Sequence, residues 1–142
     1  MPKGTTFDND FLKLILNGTA IALIADNAAS TPLTNIYVGL HTADPSAGSQ
    51  TTSEATYTGY ARVAVARTSG GWTISTNTLT NAATITFGAC TAGSNTITHV
   101  SLGSLVTTAG KVLWSGALTS SLAVSTGVTP SFAAGDLDGT ET

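Results

Sequence analysis

Charge is the scarcest property of this chain. Only 9% of its 142 residues are Asp, Glu, Lys or Arg, against about a quarter in an ordinary soluble domain. The five Lys and Arg residues are scattered and the net charge is −3. No basic patch exists to neutralise phosphates, which argues against a nucleic-acid partner. Cysteine is nearly absent: Cys90 alone excludes an internal disulfide, and no Cys/His spacing suggests a metal site. The longest apolar run, Ala20 to Ala25, is too short to cross a bilayer, so no membrane role is expected. Met1 to Lys3 leads into Asp8 and Asp10 instead of an apolar core with a cleavage site. The expectation is therefore a protein made in a cytoplasm without a signal peptide.

What remains is enough for a core. The hydrophobic fraction is 42%, and a chain of this length forms one domain by the usual prior. The polar surface must come from Thr, Ser, Asn and backbone, a weakly hydrated surface that suits contact with other protein.

The alternation of Ile36, Val38 and Leu40 with Tyr37, Gly39 and His41 reads as a strand. Turn residues flank it on both sides: Thr31 to Asn35 before, Asp44-Pro45-Ser46 after. Further strands are expected at Ala61–Arg67, Trp72–Ser75, Thr84–Phe87, Thr96–Leu102, Lys111–Trp114 and Ser121–Val124, with Ser131-Phe132 beginning a last one. In Ala61–Arg67, Val63 and Val65 should point inward and Arg62, Ala64 and Ala66 outward. Seven or eight short strands predict a mainly β protein, an antiparallel β-sandwich of jelly-roll or immunoglobulin-like type. The sandwich should span residues 31–142, behind a helical segment at 1–30. The acidic tail from Asp136 to Glu141 is expected to fray or reach a partner.

One or two short helices should occupy residues 7 to 27. Phe7, Phe11, Leu14 and Ile15 fall at helical spacing, Leu12 and Leu16 widen the stripe, and Asn17-Gly18 ends it. A second helix could run from Ala20 to Asp26. The plain role of these helices is to cover one end of the sheet. The other is docking on a neighbouring subunit, with Phe7, Phe11, Leu14 and Ile15 as the interface. The long polar connection from Ala43 to Gly59 could likewise bind something or lie on a partner.

No catalytic constellation stands out. His41, Asp44 and Ser46 are close in sequence, but a triad is a geometry, and no strained elbow surrounds any serine. Asp44-Pro45 reads better as a turn start. His41 and His99 could meet across the sheet, yet two histidines without a carboxylate make a poor metal site. Cys90 lacks an activating neighbour and reads as a buried, inert thiol. Asp44 and Glu54 are a weak candidate for a glycosidase pair. Ser69-Gly70-Gly71 is a hairpin turn, not a phosphate loop. Nine aromatics, widely spread, make no nucleic-acid stacking platform. The expectation is no enzyme, no cofactor and no metal.

Several segments together carry a resemblance: Leu40-His41-Thr42-Ala43-Asp44-Pro45, Tyr57-Thr58-Gly59-Tyr60-Ala61-Arg62-Val63, Gly71-Trp72, Ile97-Thr98-His99 and Thr129-Pro130-Ser131-Phe132-Ala133-Ala134-Gly135. With these the chain resembles a family of small virion-associated proteins of tailed bacteriophages and prophages, often labelled tail fibre proteins. The resemblance spans nearly the whole chain and brings no site residues with it. It implies a structural part of a phage particle, assembled in the bacterial host cytoplasm. The leading expectation is a capsid decoration or cement protein on the head shell, a homo-oligomer whose partners are the major capsid protein or other virion proteins. The alternative within that class is a tail, collar or fibre-associated component. From another class, a carbohydrate-binding module would need exposed aromatics, with Tyr57, Tyr60 and Trp72 as candidates; a small hydrolase is the other reading of that class.

Overall fold

The computed structural model describes residues 5–20 and 33–141, apart from the side chains of residues 5–8. Among these are one helix and nine strands. The protein is mainly β and antiparallel, with a short N-terminal helix, as the alternation predicts. The expected second helix, Ala20 to Asp26, falls outside the described residues save for Ala20. The chain divides into two compact units, one built on residues 1–35, 66–85 and 132–142, the other on 36–65 and 86–131.

In the first unit, helix α1 (Thr5–Leu16) packs on strands β3 (Trp72–Ser75) and β4 (Thr78–Asn81). Leu12 and Leu16 are fully buried, whereas Phe11, Leu14 and Ile15 are half-buried. The stripe therefore docks through the two residues that widened it. Each contributes about 1.5–3 kcal/mol by burial. Gly18, at φ 65°, turns the chain out of the helix, and the Thr19 amide reaches the Lys13 carbonyl at 3.1 Å. The Arg67 guanidinium donates to the Leu14 and Ile15 carbonyls, which the helix itself leaves unpaired. Burial lowers the pKa of that guanidinium from its ordinary value.

The tail does not fray. β9 (Asp138–Thr140) pairs antiparallel with β4, Leu79 facing Gly139. The strand β4 and its tail partner escaped the sequence reading because Thr-Leu-Thr-Asn and Asp-Gly-Thr carry little apolar pattern. They are held by Asn81, whose side chain donates to the Ala83 and Ala133 carbonyls and accepts from the Leu137 amide (2.9, 2.7 and 2.9 Å).

In the second unit, one sheet runs in the order β2 (Val63–Ala66), β1 (Asn35–His41), β6 (Asn95–Gly103), β7 (Val112–Val124). Val38 faces Leu102 and His41 faces His99. Val63 and Val65 are half-buried and Ala64 and Ala66 exposed, as expected, but Arg62 is buried. The segments expected as two strands, Lys111–Trp114 and Ser121–Val124, are one continuous strand. Nothing between them forces a turn, since Gly116 keeps an ordinary φ and the chain only bulges. Short strands β5 (Ile85–Thr86) and β8 (Ser131–Phe132) form a separate pair.

Both faces of β1 are buried toward its end. The polar connection after it returns to its own sheet instead of projecting outward. The Thr42 amide bonds the Ser53 carbonyl and the Ala55 amide bonds the Leu40 carbonyl (2.8 and 2.9 Å). Asn95 Oδ1 accepts both the Thr56 and Tyr57 amides. Gly59 and Gly88 let two backbones touch: a Cβ on Gly88 would lie 2.0 Å from the Gly59 carbonyl oxygen.

Candidate functional site

The polar side chains of the second unit converge where this returning connection crosses the end of β1. Arg62 is the centre. Its Nε and Nη2 grip Glu54 Oε1 and Oε2 at 2.6 and 2.7 Å, a two-pronged ion pair. The remaining donors hold the Leu105 carbonyl (2.9 Å) and the Thr108 carbonyl (3.0 Å). One guanidinium thus ties the connection after β1 to the loop between β6 and β7. Tyr60 adds a third link, its hydroxyl donating to Glu54 Oε1 and accepting from the Leu40 amide. Burial, helped by the Glu54 charge, raises the Tyr60 phenol far above its ordinary pKa, so it stays a neutral donor.

Beside Tyr60 lies His41, fully buried, with Nδ1 at 2.9 Å from the Thr52 carbonyl and Nε2 at 2.8 Å from Ser101 Oγ. Both ring nitrogens are spent. Burial holds its pKa below the ordinary histidine value, outweighing the upward pull of the Thr52 carbonyl. Gln50 completes the cluster, wedged against Gly103 and Gly110, with Oε1 accepting the Leu105 amide at 2.8 Å. Outside it a cleft of about 300 Å³ is lined by Glu54, Tyr60, Arg62 and the loop residues Val106, Thr107 and Thr108. Leu105 and Val106 stand exposed on that loop.

The structure does not assemble the residues that looked catalytic. Asp44 is exposed and accepts from the Ser46 amide and hydroxyl and from Ser115 (2.9, 2.9 and 3.1 Å), a turn start braced by β7. Those hydrogen bonds, the Ser46 amide foremost, lower its pKa. His41 turns instead to Thr52 and Ser101. His41 and His99 do stand opposite each other across the sheet. Among the described residues no group of three or more His, Cys, Asp and Glu is placed to hold a metal. Cys90 is buried, its thiol pointing at the Ala92 and Gly93 carbonyls. Glu54 is engaged by Arg62 and Tyr60, so it is no partner for Asp44 in glycoside chemistry.

Of the aromatics expected for a sugar platform, Trp72 and Tyr57 are inward and Tyr60 is half-buried on the wall of the cleft. Trp72 and Tyr57 are buried, and Tyr57 donates to the Gly88 carbonyl at 3.0 Å. Tyr60 stacks on Phe87 with centroids 6.2 Å apart and meets Tyr57 edge-on at 5.5 Å. Sequence reasoning missed Arg62, which it placed outward, and Gln50, which it read as loop. Their signal was faint: a lone Arg at a strand start and a Gln in a Thr/Ser run. The cluster holds loops in place, and one of its buried polar atoms, Gln50 Nε2, has no hydrogen-bond partner.

A family model described as "Podophage GP4 fiber I protein gp80" matches residues 5–140. Among curated proteins, no relative matches the chain.

Proposed function

This chain belongs to the family of podophage GP4 fiber I protein gp80, and on that premise we propose that it is a structural component of a tail-associated fibre in a tailed-phage virion. The observation that carries this reading is the extent of the family match, which runs from helix α1 to strand β9. The polar cluster around Arg62 supports it, because Arg62, Glu54, Tyr60 and His41 are all hydrogen-bonded to one another or to loop backbone. A rigid, weakly charged β protein suits assembly against other virion proteins. The capsid-decoration role expected above has no comparable support, and the sugar-binding reading loses two of its three aromatics, Tyr57 and Trp72, to the core. Contacts with other virion proteins fall, in this reading, partly on Phe11, Leu14 and Ile15, which α1 leaves half-buried; the side chain of Phe7, the fourth residue of that expected interface, is outside the described ones.

Deleting the gene tests the proposal. Particles assembled without the chain should keep intact, genome-filled heads and lack one set of fibres. Heads that become fragile while every fibre stays in place would overturn it.

A further inference from the structure

Strand β7 closes the four-stranded sheet of the second unit. β6 pairs one of its edges, and among the described residues nothing pairs the other. It is 13 residues long, and only Val124 is fully buried. Exposed sheet edges present unpaired backbone groups and are normally guarded by charge, proline or shortness. β7 lacks all three, since no charged residue and no proline occurs between Val112 and Val124, and its largest irregularity is the bulge opposite Thr98.

Its polarity pattern is also close to symmetric, with apolar ends at Val112–Trp114 and Leu122–Val124 about a central Leu118. In two antiparallel strands related by a two-fold axis, residues equidistant from the axis stand opposite each other. An axis at Leu118 sets Val112 opposite Val124, Trp114 opposite Leu122, Ser115 opposite Ser121 and Ala117 opposite Thr119, with Leu118 facing itself. Leu113 stands opposite Ala123 and Gly116 opposite Ser120, so the pairs agree in polarity except Ala117 with Thr119, and an aromatic residue opposite an aliphatic one is a favourable cross-strand contact. The centre of this pattern is also where the home sheet gives β7 least. Ala117 faces His99 and Leu122 faces Ile97, so Leu118, Thr119, Ser120 and Ser121 have no paired residue on β6.

We propose that β7 is a homotypic docking edge, through which two copies of this chain pair antiparallel about a two-fold axis at Leu118 and join their sheets into one. The self-complementary sequence names the occupant as a second copy, and the inference does not depend on where in the virion the chain sits.

The test uses the purified full chain, with mass measured by light scattering over a range of concentrations and folding checked by circular dichroism. A dimer is expected. The double variant A117K/T119K alters two exposed positions and places lysine opposite lysine twice, so the dissociation constant should rise at least tenfold. The variant A117K/T119E places lysine opposite glutamate twice and should restore the dimer. Mild oxidation of L118C should yield a covalent dimer, since directly opposite residues lie within disulfide reach. A monomer at every concentration would overturn the proposal and make the bulge a guard on the edge. So would a trimer, a dimer indifferent to A117K/T119K, or an A117K/T119E chain as weak as A117K/T119K.

Discussion

Arg62 and Glu54 form a two-pronged ion pair whose members are nearly withdrawn from solvent, their side chains 3% and 17% exposed. Through it the connection after β1 and the loop before β7 become one rigid piece. Removing Arg62 leaves the Glu54 carboxylate largely desolvated without a counter-charge, held only by the Tyr60 hydroxyl. Arg62→Ala should therefore destabilise the fold by about 3–5 kcal/mol. Arg62→Lys should recover little, because an ammonium cannot span Glu54 and the Leu105 and Thr108 carbonyls together. Urea unfolding of the two variants checks both statements; a loss within about 0.5 kcal/mol for Arg62→Ala would contradict them.

Gln50 fits between two glycines because they have no side chains. A Cβ on Gly103 would lie 2.1 Å from Gln50 Cδ, and one on Gly110 would lie 2.0 Å from Gln50 Oε1. Gly103→Ala and Gly110→Ala should each cost about 1–3 kcal/mol or more by overpacking. Gly116→Ala meets nothing within 4 Å and should leave folding stability nearly unchanged. Thermal midpoints of the three variants provide the comparison.

Much of this architecture was legible. Period-two alternation located β1, β2, β3, β5 and β6, and helical spacing located α1. What alternation could not show is what covers each face. Ile36, Val38 and Leu40 looked like the single buried face of β1, yet His41 on the other face is equally buried, because residues after Pro45 fold back over it. Burial by a returning loop depends on contacts far apart in sequence and has no local periodicity. The same reason hid Arg62, whose partners Glu54, Leu105 and Thr108 come from two loops. The tail strand β9 was hidden differently: its order comes from Asn81 and β4, not from its own composition.

Asn81 ties β4 to the chain around Ala133 and Leu137. It is buried, and three backbone groups from the 83–137 region depend on it. Asn81→Ala would leave them unsatisfied at about 1–3 kcal/mol for each that water cannot reach. Hydrogen exchange should show faster exchange at Leu137 and along β9, with the β1–β6 ladder less affected. Unchanged protection at Leu137 would contradict this role.

Stability should also depend on pH through His41. Its folded pKa lies below the ordinary 6.5 because burial disfavours the charged ring. Above that value both folded and unfolded chains are neutral there, and no penalty applies. As pH falls below it, the unfolded chain takes up a proton that the folded chain refuses, so the free energy of unfolding falls until the folded pKa is reached. The denaturant midpoint should decline as pH falls through and below the ordinary histidine value, and His41→Asn should flatten that decline. A ring that titrates at or above the ordinary value in an NMR titration would contradict the account.

Gold-labelled antibody against this chain, viewed by electron microscopy on intact particles, locates it on head or tail. The account predicts label on fibres attached at the tail, with bare heads. Label spread evenly over the head shell would contradict it.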